Sequence, residues 1–393
     1  MLIASQRIVT ASPAGRGAPA ILSPGYVACS RGEIVAVGAG PPPGRPDVAL
    51  TDGILLPGLV DLQVNGYFGV ELGEARQDGW VTVAGGLPAT GTTAFLPTFI
   101  TGPFDGMLAA LGRAAGFAPD LAGSPGLARV LGVHVEGPFL SPRRLGAHNP
   151  AWIARPEPAA VDALLAAGRD LLRVLTLAPE LDGALAAIRQ LTASGVLVSV
   201  GHSDATAAQV SAAAMCGARM VTHLFNAQRP LHHREPGVAG QALADTRLSS
   251  GLIADLHHVC GPVAAIAFAA APGRIFLVTD AAAAAGGPAG RYLLGGEAVE
   301  LAAGDGTPPV RPDGTLAGSV LRMDAAIANM VAAGVSLTDA VAAATRIPAD
   351  LIGRPDLGRI AEGAAADLVW VTDGLRTQAA WIAGRQVFGP PLG

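Results

Sequence analysis

The sequence predicts an α/β fold, a (β/α)8 barrel of the TIM type joined to a small β-sandwich domain built from both chain termini. Three observations carry this. Short apolar runs alternate with Ala-rich helical segments through the middle of the chain, Gly- and Pro-punctuated β-rich stretches occupy both ends, and polar residues gather at the C-terminal ends of the apolar runs.

In chain order, "RIVTAS" and "GEIVAVGAG" are short strands separated by Gly and Pro clusters, and the "GAGPPPGRP" stretch is a turn region. Eight candidate strands follow: "ILLPGLVDLQVNG", "GTTAFLPTFI", "ARVLGVHVEGPF", "LLRVLTLAPE", "VLVSVGHS", "MVTHLFNA", "LSSGLIADLHHV" and "RIFLVTDA". Eight is the number that closes a barrel, although an open, doubly wound sheet satisfies the same alternation. Between them, "PAAVDALLAAGRD", "ELDGALAAIRQLTASG" and "TAAQVSAAAMCGA" place apolar residues at helical spacing and end near Gly. The strands "ADLVWVT" and "AAWIAGRQVF" close the chain. The expected division is therefore residues 1–56 with 357–393 for the small domain and 57–356 for the barrel.

Half of the 393 residues are hydrophobic and 15% are charged, which excludes a solvated, disordered chain. A net charge of −5 without a Lys/Arg run gives no nucleic-acid surface, so a small molecule is the expected partner. Cys29, Cys216 and Cys260 are scattered and have no CxxC spacing, which argues against a disulfide framework or a thiolate metal site. Arg7 interrupts the N-terminus before any apolar core builds up, and no apolar run approaches the ~20 residues of a membrane span. A soluble, cytoplasmic protein is expected.

Gln63 and Asn65 end the first candidate strand, Glu136 the third, His202 the fifth, His223 the sixth, His258 the seventh and Asp280 the eighth. A lone strand-end His is usually structural and a lone Asp usually caps a helix. Six strand ends of one barrel rim carrying such residues point instead to an active site on the C-terminal face. Glu136, His202 and His223 supply two imidazoles and a carboxylate, a donor set for a catalytic zinc-type ion that leaves a position for water. Such an ion generates a hydroxide able to attack a carbonyl, and Asp280 can take the proton and hand it to a leaving amine.

The stretches "LPGLVDLQVNG", "TTAFLPTFIT", "HVEGPFLSPRRLGAHNP", "GHSDAT", "THLFNA", "REPGVAG", "GLIADLHHV", "LVTDA", "GTLAGS" and "GRIAEGAAADLVW" together resemble the N-acetylglucosamine-6-phosphate deacetylases of the amidohydrolase superfamily. The resemblance spans essentially the whole chain. It implies the same barrel and sandwich, and hydrolysis of an acetamide on an amino-sugar phosphate. Many amidohydrolases carry His-x-His at the end of the first strand, where i and i+2 face one side and both rings bind metal. Here the position holds Gln63-x-Asn65, and amides are poor zinc ligands. A mononuclear site is implied, one divalent ion per subunit held by Glu136, His202 and His223, with zinc first and iron, manganese or cobalt able to replace it. Gln63 and Asn65 would line the pocket as hydrogen-bond partners, or simply satisfy each other.

By the same resemblance Asp280 is the general base and acid, and His148 of "GAHNP" positions or polarises the substrate carbonyl. Asn226, Ala227, Arg234 and His258 hold the phosphate, part of that grip crossing the interface of a homodimer. Of the adjacent His257 and His258, strand alternation sends only one into the barrel mouth, and His258 is chosen; His232 and His233 are surface or interface residues. Gln228 and Arg229 depart from the family pattern, as does the run of Ala after Asp280, which leaves acyl and sugar preference open. The competing readings are an amidohydrolase for another small N-acyl amine, such as an N-acyl-D-amino acid, and a non-catalytic sugar-phosphate-binding barrel.

Overall fold

The computed structural model describes residues 1–12, 19–122, 124–304 and 306–392. Eight parallel strands form the barrel: β1 (Leu59–Val64), β2 (Thr92–Ile100), β3 (Val133–Glu136), β4 (Leu172–Leu177), β5 (Leu197–Val200), β6 (Met220–Val221), β7 (Ser249–Ile253) and β8 (Ile275–Val278). Beyond β8 the chain returns to β1: the Asp280 N–H donates to the Gln63 carbonyl at 2.9 Å, and the Asn65 N–H to that of Ala281 at 2.8 Å. These bonds join the last strand to the first and exclude the open-sheet alternative.

The strands are buried along most of their length, Arg173 of β4 being exposed, as expected when helices cover the outer face and side chains fill the interior. The three helices expected from periodicity are Pro158–Gly168, Ala184–Ala193 and Ala207–Cys216. The last begins at a reciprocal cap, in which the Thr206 hydroxyl accepts from the Gln209 N–H and the Gln209 side chain accepts from the Thr206 N–H. Among the described residues no helix is long and apolar enough to cross a membrane.

Two sheets from the chain ends make up the small β-rich portion. One orders Glu33–Ala39, Gly25–Ser30, Leu2–Ser5 and Val48–Leu50; the other runs Arg385–Phe388, Thr377–Ile382, Leu368–Val371, Ile54–Pro57, Ile8–Val9 and Ile21–Leu22. Their shared core includes Ile3, Val27, Ile34, Leu55 and Trp381.

"ILLPGLVDLQVNG" is not one barrel strand. It divides at Gly58, with Ile54–Pro57 in the small sheet and Leu59–Val64 in the barrel. Along Ile54–Pro57 the period of two sends Ile54 and Leu56 into the barrel-side core and Leu55 into the other. Gly58 is tight against Thr93, whose Oγ1 would lie 2.1 Å from an added Cβ.

Unforeseen by periodicity is a hairpin over the barrel mouth, Gly290–Leu294 paired with Glu297–Leu301. Its Leu294 and Val299 pack with Ala282 and Ala317, and Ile100, Ala147 and Tyr292 lean on this cluster.

Candidate active site

Rim backbone first sets where the functional side chains point. His202, His223 and Asp280, each just past its strand, have φ of +46°, +27° and +51°, values rare for residues with a Cβ. Neighbouring bonds hold these conformations: the Ser141 N–H donates to the His202 carbonyl and the Ser319 N–H to that of Asp280, both at 2.9 Å.

Glu136, His202 and His223 converge. His202 Nε2 and His223 Nε2 are 3.0 Å apart, and they lie 3.2 and 3.0 Å from Glu136 Oε1. The edge of a tetrahedral zinc site is ~3.3 Å, from metal–nitrogen bonds of about 2.0–2.1 Å. These three atoms are therefore spaced to share one ion. The carbonyl of Arg144 accepts from His202 Nδ1 at 3.0 Å, which puts the proton there and leaves the Nε2 lone pair facing the centre. Burial pushes the Glu136 carboxyl up, but hydrogen bonds and charge from His202 and His223 outweigh it and keep the group ionised.

The two amides of the first strand aim at carboxylates and not at each other. Gln63 Nε2 donates to Asp280 Oδ1 at 3.0 Å and to Glu136 Oε1 at 3.3 Å, and Asn65 Nδ2 donates to Asp280 Oδ1 at 2.7 Å. They occupy the side where His-x-His would bind a second ion, and they separate two like charges with N–H groups. Burial, and then the charge of Glu136, push the Asp280 carboxyl up to about 6. That places it near the range in which one group serves as base and then as acid.

His148 is buried on a loop, its Nε2 3.8 Å from Glu136 Oε2. Burial pushes the ring down to about 3, so it is neutral and keeps one N–H to donate. Glu136, His148 and His202 also form a compact donor group, so His148 borders the metal position. The loop reaches it through Gly146, at φ +58°, where an added Cβ would sit 3.2 Å from His202 Cε1.

The pocket above these groups is lined by Asn65, His148, Asn226, Ala227, His258 and Asp280 together with the metal-site residues. Gln63 touches it only through the carboxylates. Arg234 lies outside it on an exposed loop, its guanidinium beside His233. His258 does face the pocket, but not by strand alternation, because β7 ends at Ile253. A turn held by Asp255 does the sorting: its carboxylate accepts the N–H groups of His257 and His258 and, at 2.7 Å, His258 Nδ1. His257 is left exposed. Gln228 and Arg229 turn away from the pocket. The Gln228 amide binds the Phe225 N–H and the Thr222 carbonyl, and Arg229 pairs with Asp204.

Sequence reasoning passed over Asp61 and His134. Asp61 accepts from the Thr279 hydroxyl at 2.6 Å and from the Gln63 N–H, and burial pushes it up to about 7. His134 meets Thr176 at 2.7 Å within a buried chain that continues to Thr222 and Ser199. Each lies two residues before a predicted site residue, hence on the same face, and that period was the available signal.

The amidohydrolase family profile matches residues 54–387, which include all of these groups. The chain belongs to the amidohydrolase family. Within it, the chain is 41% identical to an N-acetylgalactosamine-6-phosphate deacetylase of Escherichia coli O157:H7, covering 84% of this chain and 87% of the other. It is 36% identical to the N-acetylglucosamine-6-phosphate deacetylase of Bacillus subtilis over 90% of both. A solved point mutant of the N-acetyl-D-glucosamine-6-phosphate deacetylase of Mycobacterium smegmatis, in complex with N-acetyl-D-glucosamine-6-phosphate, superposes with a TM-score of 0.90 at 34% identity, covering 98% of this chain and 99% of that one. As an amidohydrolase with a Glu/His/His centre, the protein has the means to be metal-dependent.

Proposed function

We propose that this amidohydrolase removes the acetyl group of N-acetyl-D-glucosamine 6-phosphate, giving D-glucosamine 6-phosphate and acetate. The observation that carries the reading is the convergence of Glu136, His202 and His223 beside an Asp280 held by two amides. The kinship with sugar-phosphate deacetylases at 36–41% identity supports this substrate over an N-acyl-D-amino acid.

Glu136, His202 and His223 would hold one divalent cation per chain, zinc by the donor set, which supplies Lewis acidity to the acetamide carbonyl and acidifies a water. Asp280 takes a proton from the attacking water and returns it to the amide nitrogen as the C–N bond breaks, so that acetate and a free amine leave. Gln63 and Asn65 pin its Oδ1, which leaves Oδ2 to move the proton. The neutral His148 ring donates to the carbonyl oxygen as negative charge builds there.

Asn226, the Ala227 N–H and His258 bind the phosphate. Asp255 accepts from His258 Nδ1, which leaves Nε2 for the ligand. Arg234, exposed in one chain, completes the grip in a homodimer as the partner subunit's Arg234, where a guanidinium fork suits phosphate geometry. A phosphorylated sugar does not readily cross membranes, so the cytoplasm is the natural setting.

The test is amine release from N-acetylglucosamine 6-phosphate and from its galacto epimer, with metal content measured on the same sample. Turnover of the gluco sugar with about one ion per chain is expected for a site with a single set of three ligands. Faster turnover of the galacto epimer moves the assignment to that sugar, and turnover of neither rejects the reading.

A further inference from the structure

His148 makes no hydrogen bond that would orient its ring. Its Nδ1 is buried without a partner and its Nε2 is 3.8 Å from Glu136. Apart from an edge contact with the His202 ring, 4.4 Å between centroids, its aim depends on the backbone of residues 146–149, which no strand ladder holds.

That segment is gripped from the hairpin side, once at its backbone and once at a side chain. Arg311 Nη1 donates to the carbonyl of Ala147 at 2.8 Å, and Asn149 Nδ2 donates to Glu297 Oε1 at 2.6 Å. Residues on both sides of His148 are thus tied to Arg311 and Glu297, which face each other at 3.7 Å. The pair is itself anchored. Glu297 opens the second strand of the hairpin, and Arg311 starts a turn closed by its N–H to the Thr315 carbonyl at 2.8 Å. Ala147 also packs beside Leu294 and Ile100. Among the described residues, four buried side-chain atoms lack a hydrogen-bond partner: Asn65 Oδ1, His148 Nδ1, His223 Nδ1 and Arg311 Nε. Three of these belong to the site. Arg311 Nε, the fourth, belongs to this grip: the guanidinium is drawn out of water around the Ala147 carbonyl, unlike a solvated surface pair.

We propose that Arg311 and Glu297 form a clamp that positions His148, so that the hairpin over the mouth is part of the reacting geometry. Arg311 acts through His148 and is a positioning residue. The consequence for turnover rests on the deacetylase reading; the consequence for loop order does not.

The experiment compares Arg311→Ala, Glu297→Ala, Arg311→Lys and His148→Ala, and the double variant Arg311→Ala/His148→Ala, by amide hydrogen exchange over residues 145–152 and by steady-state kinetics. Arg311→Ala is expected to speed exchange in that segment about tenfold. It should also lower kcat about 10- to 100-fold with metal content unchanged, the scale of a misplaced reacting group. Arg311→Lys, which keeps a donor, should recover part of the loss. The double variant should be no slower than His148→Ala alone. Unchanged exchange, or losses that multiply in the double variant, overturns the clamp. If Arg311→Ala does not fold, Glu297→Ala carries the same comparison. A wild type that hydrolyses no acetamido sugar phosphate overturns the deacetylase reading, and the exchange arm still decides the clamp.

Discussion

Glu136 ends a barrel strand and His202, His223 and Asp280 lie two residues past theirs, so the ladder carries their backbone to the rim and single backbone bonds, such as that from the Ser141 N–H to the His202 carbonyl, hold it there. His148, Asn226, Ala227 and His258, which line the same pocket, sit on turns, some of them placed by individual side chains such as Asp255 and Gln228. The first side can be rigid without any ligand, as an electrostatic centre requires. The second can be retuned by changing a turn, which is where relatives acting on different sugars have room to diverge. On the proposed assignment, the metal ligands and the proton carrier come from strand ends, while the phosphate grip and the carbonyl donor His148 come from turns.

The comparison is broken most directly by removing the cation. Chelation, or His202→Ala, should take turnover to background while circular dichroism and the melting transition stay barrel-like, because the strand ladder does not use the rim ligands. Collapse of the fold on chelation would show that the strand-end side is not rigid by itself. Asp280→Asn should lower kcat about 10²- to 10⁴-fold with metal content intact, the usual share of a general base. Near-normal turnover would transfer the proton to another group.

Arg234→Ala tests the recognition side. It should raise KM for the phosphorylated sugar about 10- to 100-fold, the loss of one charged hydrogen bond, and leave activity on unphosphorylated N-acetylglucosamine unchanged. Equal loss on both sugars would give Arg234 a structural role. The pH profile is the finest probe. Asp280 must be ionised to accept a proton, so kcat/KM should fall as pH drops, about tenfold per unit below its pKa. The midpoint lies at or below about 6, since burial raises the group to that value and a bound cation lowers it. An acid limb retained in Asp280→Asn would reassign it.

The two sides also differed in how legible they were. The ends of the apolar runs marked Gln63, Asn65, Glu136, His202, His223 and Asp280 as residues of one rim without any knowledge of contacts, although strand alternation does not extend to the left-handed His202, His223 and Asp280. Of His257 and His258 the second was the right choice, but alternation is not the reason, because the strand had ended and Asp255 had folded the chain into a turn that faces His258 to the pocket and leaves His257 exposed. The break at Gly58 was hidden because both halves are apolar and only tertiary packing assigns them to different sheets. The hairpin at Gly290–Leu301, with Glu297 and then Arg311 beyond it, has no extended apolar run to announce it. Its contacts with the His148 loop join positions more than a hundred residues apart, beyond any local pattern.

The left-handed backbone at His202, His223 and Asp280 has a bearing on protein engineering. Saturation libraries at these positions are filtered by conformation before chemistry is sampled, since β-branched and bulky residues are disfavoured there while Asn, Asp, His and Gly are tolerated. The rim accepts a short alphabet. The turn around Asn226 carries the same filter, with Phe225 and Ala227 at φ +77° and +49°, so recoding this barrel for a new reaction calls for regrafting a whole strand-to-loop junction, in which side chain and backbone change together.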